Sequence, residues 1–69
     1  MSASDFCKNL LSTCAGKLTD GYMTETACET KFGALTPARM KCTSYHVCNA
    51  KAGNPTLHCP HAQGADPCN

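Results

Sequence analysis

Sixty-nine residues with seven cysteines, two Phe, two Tyr and no Trp make one domain with a marginal core, since a chain of this length buries only about 60% of the surface its unfolded form exposes. Six basic and five acidic side chains, scattered without a run of one sign, give a net charge of +1. That balance excludes nucleic-acid binding, where several phosphates must be neutralised at once, and attack on anionic membranes, which needs a polybasic amphipathic face.

The first apolar stripe falls at Cys7, Leu10, Leu11 and Cys14, with Phe6 on its flank. This i, i+3, i+4, i+7 spacing predicts a helix over about 4–15. Ser4 stands where an N-cap belongs, and Gly16 ends the run. Gly16-Lys17-Leu18-Thr19-Asp20-Gly21 then reads as a loop bounded by glycines.

A second helix is expected over about 24–35, with Cys28, Phe32 and Leu35 on one face. Thr26 and Glu29 have capping-box spacing, and Thr24 competes as the cap. Gly33 inside the run frays its last turn.

The third helix, over about 37–51, is the best marked. Thr36 is a cap followed by Pro37 at the first helical position, where the missing N–H would have had no partner. At about 100° per residue, Cys42, Tyr45, His46 and Asn49 project to one side and Met40 and Val47 nearly opposite. Tyr45, beside Cys42, is expected as core filler with its hydroxyl at the surface. Gly53 and Pro55 are stop signals. Residues 52–69, with three prolines, two glycines and two cysteines, read as an extended tail laid back over the helices. No alternating β-branched run suggests a strand. The expected fold is all-α, small and disulfide-rich: three short helices with an extended C-terminal tail stapled onto them, in a single domain spanning 1–69.

Cysteines at this density signal a disulfide scaffold formed in an oxidising compartment, so a secreted, extracellular protein is expected. Met1-Ser2-Ala3-Ser4-Asp5 has neither the basic start nor the apolar run of an export signal, and Met1 is read as standing where a signal has been removed. No apolar stretch approaches the length of a membrane span. Asn54-Pro55-Thr56 is barred from glycosylation by its central proline.

The residues between successive cysteines number 6, 13, 13, 5, 10 and 8, and none of these is the two-residue gap of a zinc ribbon, a thioredoxin-like site or a haem attachment motif. Seven is odd, so one cysteine lacks an internal partner, and about a hundred arrangements remain open. Cys48 lies about 240° round the third helix from Cys42, on its polar side. It is therefore favoured as the unpaired thiol, leaving Cys7, Cys14, Cys28, Cys42, Cys59 and Cys68 for three bridges. An intermolecular bridge at Cys48 would make a covalent homodimer. The alternative is that Cys48 pairs with Cys59 or Cys68 and another cysteine is left over.

All three histidines, His46, His58 and His61, lie in the C-terminal third. Converging imidazoles suit copper(II) or zinc(II). An oxidised Cys59 could not join them, because a metal takes thiolate rather than disulfide sulfur. The structural alternative is that His58 and His61 merely cover the edge of a staple at Cys59, donating to tail carbonyls.

Catalysis is not expected. Asp5, Asp20, Glu25, Glu29 and Asp66 are scattered through capping and loop positions. Ser44 and His46 point about 200° apart on a helix, which rules out a nucleophile and base pair. Cys59 as a nucleophile would need an oriented imidazole that sequence neighbours seldom supply. The expected function is a small secreted recognition protein, acting as a signal, effector or inhibitor on a protein partner or receptor. Its rigid surface would include Lys17, Leu18, Tyr22 and Leu57. The alternative is a copper- or zinc-binding protein using the histidines. A lipid carrier is the weaker third idea, since the few large apolar residues are needed for the core.

Overall fold

Ser2 opens the first helix, its hydroxyl accepting from the Asp5 N–H at 3.1 Å, in a computed structural model that describes residues 1–69. The chain forms four helices and no strand: α1 (Ala3–Thr13), α2 (Glu25–Gly33), α3 (Pro37–Ala52) and α4 (Pro55–Ala62). The cap of α1 thus lies two residues before the expected Ser4. Thr24 wins the competition to cap α2, accepting from Ala27 N–H at 3.1 Å, and Thr36 caps α3 through Arg39 N–H at 3.2 Å.

The buried face of α1 is Phe6, Cys7, Leu10 and Cys14, all 0% exposed. Phe6 is therefore central and Leu11 only half-buried. Phe6 stacks on Phe32 of α2, ring centroids 4.5 Å apart. Aromatic pairs at this range add about 0.5–1.5 kcal/mol beyond their buried area. From α3, Val47 and Ala50 complete the core, with Met40 partly buried against it. Thr43 shares that face although it is polar, because its Oγ1 donates within its own helix to Arg39 O at 2.9 Å. The side of α3 bearing Cys42, His46 and Asn49 is half-buried, and α3 packs most extensively against α4. Tyr45, expected in the core, is instead 63% exposed.

The expected extended tail is corrected by α4. Pro55 occupies its first turn, Asn54 Oδ1 accepts from Leu57 N–H at 3.3 Å, and Gln63 closes the other end. The prolines read as helix breakers therefore act differently. Pro55 sits where no N–H is needed, and Pro60 loses one bond in a helix whose Cys59 and Ala62 are fully buried. After Gln63 the chain reverses through Gly64 at φ 95°. The Gly64 N–H donates to His61 O and the Ala65 N–H to Pro60 O, both at 3.1 Å, the paired bonds of a Schellman stop.

Three disulfides hold the helices together. Cys7–Cys28 joins α1 to α2, Cys14–Cys59 joins the end of α1 to α4, and Cys42–Cys68 joins α3 to the segment after α4. Cys48 is free and exposed. No helix is long and apolar enough to cross a membrane.

Candidate metal centre

Two helices bring the three histidines together. His46 lies one turn after Cys42 on α3, and His58 and His61 are one turn apart on α4. Cys42–Cys68 ties α3 to the segment after α4 and Cys14–Cys59 ties α4 to α1, so each helix is anchored within a turn of these rings.

One ligating atom from each of His46, His58 and His61 lies within 4.8 Å of the others. His46 Nδ1 and His58 Nδ1 lie 3.0 Å apart. Without an ion, one of these nitrogens carries the proton that the other accepts. With zinc at about 2.0–2.1 Å from each nitrogen, tetrahedral geometry puts two nitrogens about 3.3 Å apart, and a right-angled pair about 2.9 Å. The His46–His58 pair is thus already at ligand spacing.

His61 supplies the observation that tests the fit. Its Nδ1 is buried and has no hydrogen-bond partner. A buried polar atom left unpaired costs about 1–3 kcal/mol, and a metal bond would remove the deficit. The rings of His46 and His61 meet edge to face at 4.7 Å, and those of His46 and His58 stack at 5.1 Å. Burial first, then the neighbouring His61 and His58, lower the pKa of His46 below the usual imidazole value. The ring is held in the neutral form that metals bind. All three histidines are half-buried, so one side of the cluster faces solvent.

A second group shares His46. The ligating atoms of Cys42, His46 and Cys68 also lie within 4.8 Å of one another. These sulfurs are bonded to each other, which removes them as ligands while the bridge is intact.

The residues expected to form a recognition surface are dispersed. Tyr22 is corrected from the loop rim to the core, 6% exposed. Leu18 is half-buried against that core, whereas Lys17 is exposed and Leu57 is 51% exposed. The loop between α1 and α2 is tied down by Gln63, a residue the sequence reading did not single out. Gln63 Oε1 accepts from the Thr19 N–H at 2.7 Å, and its Nε2 donates to Lys17 O and Cys59 O, both at 3.0 Å. The one sizeable depression, about 340 Å³, is lined by Met1, Pro37, Met40, Lys41 and Ser44 and includes none of the histidines.

Comparison with known protein families, with characterised proteins and with solved structures yields no match to this chain.

Proposed function

We propose that this protein is an extracellular, disulfide-stapled binder of a divalent transition metal, zinc(II) or copper(II), with His46, His58 and His61 as its ligands. The observation that carries this reading is the convergence of three imidazoles, one ligating atom each within 4.8 Å. Imidazole suits both ions. The open side of the cluster leaves a coordination position for water or for a group on a partner. Three disulfides support the extracellular placement.

The test is thermal unfolding with and without metal. An ion that binds only the folded state stabilises it by mass action, about 2.7 kcal/mol at a hundred times Kd. Zinc(II) or copper(II) is expected to raise Tm in the native chain, and His46→Ala or the pair His58→Ala and His61→Ala to abolish the rise. Variants that fold and keep the full rise would remove these residues as ligands.

A second reading is recognition of a protein partner over the same face. Tyr45, 63% exposed, meets the His46 ring edge to face at 5.2 Å, and exposed Leu57 lies one turn before His61 on α4. Tyrosine is among the residues that dominate interface energetics. Metal-independent capture of a partner, lost on Tyr45→Ala and retained in the histidine variants, would favour this reading.

A further inference from the structure

We propose that reduction of Cys42–Cys68 converts the histidine cluster into a Cys₂His₂ zinc site, with Cys42, His46, Cys68 and one of the two α4 histidines as ligands. The proposal rests on the histidine reading above for its imidazoles. It adds a second ligand set and the condition under which that set exists.

Three observations support it. The two groups of ligating atoms share His46, each group lying within 4.8 Å, so one imidazole stands beside both the bridge and the α4 histidines. Cys42 is the only one of the six bridged cysteines that is not buried: Cys7, Cys14, Cys28 and Cys59 are 0% exposed and Cys68 is 2% exposed. Thiol–disulfide exchange requires an attacking thiolate to reach a sulfur, which selects this bridge over the other two. Opening it also leaves the scaffold standing. Cys14–Cys59 still ties α4 to α1, α3 still packs on α4, and Cys68 N–H still donates to Ala65 O at 2.8 Å.

The chemistry balances with a dithiol reductant. One thiolate of the reductant attacks Cys42 Sγ, breaking the bond to Cys68 and releasing Cys68 as thiolate. The second thiol then displaces Cys42, leaving with the first as the reductant's own disulfide. Two electrons pass from the dithiol to the protein. Zinc binding afterwards releases the protons of the two Cys thiols to solvent, because only thiolate is a ligand. Two thiolates and two imidazoles make a closed tetrahedral zinc shell, whereas three imidazoles leave a position open. The intact bridge therefore corresponds to an exposed, exchangeable ion and the open bridge to a tightly held one.

The experiment uses full-length Cys48→Ser protein, so that the six bridged cysteines are the only ones present. It is treated with limiting dithiothreitol, freed of reductant without air, alkylated in one portion and titrated with cobalt(II) and zinc(II) in another. Peptide mapping is expected to place the first two alkyl groups on Cys42 and Cys68. Cobalt(II) should give sulfur-to-metal charge-transfer absorption in the reduced form only, and zinc(II) should bind the reduced form at least tenfold more tightly. The double variant Cys42→Ser with Cys68→Ser should lose the sulfur band and keep imidazole-type cobalt binding. Alkylation first at Cys7, Cys14, Cys28 or Cys59, or a reduced protein without the sulfur band, overturns the proposal. If the oxidised protein binds no cobalt while the reduced one shows the band, the histidine-only reading fails and the reduced site stands.

Discussion

At the scale of single residues, Tyr22 shows how burial becomes a pH dependence. Desolvation raises its pKa above 10.0. Below pH 10 the phenol is neutral in folded and unfolded chains and contributes nothing. Above it, the unfolded chain releases a proton that the folded chain retains, so stability falls as pH rises towards the folded pKa. Tyr22→Phe is expected to remove that alkaline loss at little cost near neutrality. Chemical denaturation at pH 7 and above pH 10 checks it, in a Cys48→Ser background because a free thiolate would attack the disulfides. An unchanged alkaline loss in the variant would move the cause to another group. The sequence could name Tyr22 but not its burial, since a tyrosine just after a glycine-bounded loop carries no periodicity. The same limit applied to His61: its spacing from His58 was plain, whereas its unpaired Nδ1 exists only once α4 lies on α3.

At the scale of elements, three helices were legible and the fourth was not. α1, α2 and α3 announce themselves by caps and by apolar spacing of nearly four residues, a local pattern. α4 has a weak stripe, two prolines and only eight residues, too short to be stable alone. It is held by the burial of Cys59 and Ala62 and by the hydrogen bonds from Gln63 to Thr19 and Lys17, all tertiary. Gln63 also fastens the loop between α1 and α2, through contacts 44 and 46 residues away in sequence. Gln63→Ala is expected to cost about 1–3 kcal/mol, since each of these two bonds contributes about 0.5–1.5 kcal/mol net. It should also accelerate hydrogen exchange at the Thr19 amide selectively. A global loss of protection with no excess at Thr19 would mean that the side chain supports α4 rather than the loop.

At the scale of the whole molecule, the bridges stand in for the core that a chain of this length lacks. Cys14–Cys59 closes the longest span, 45 residues, against 21 for Cys7–Cys28 and 26 for Cys42–Cys68. Chain-entropy arguments give about 4 kcal/mol for the longest and about 3–3.5 kcal/mol for the others. Replacing Cys14 and Cys59 together by Ala is therefore expected to lower the denaturation midpoint most, and to weaken metal binding because Cys59 sits between two ligands. Equal metal affinity in a variant that still folds would show that helix packing alone positions the rings. A covalent dimer through Cys48, which is free and exposed, is a proposal. A non-reduced gel should show a species at twice the monomer mass that Cys48→Ser removes, and its survival in that variant would mean association without this bridge.

The sequence by itself determined the helical class, the start of α3 and the need for staples, because caps, periodicity and cysteine density act within a few residues or as bulk composition. Tertiary structure alone decided that residues 55–62 coil into a helix, that Cys59 meets Cys14 while Cys68 meets Cys42, and that His46, His58 and His61 converge. These outcomes depend on groups 12 to 45 residues apart, and a local pattern carries no information about which distant surface will bury it.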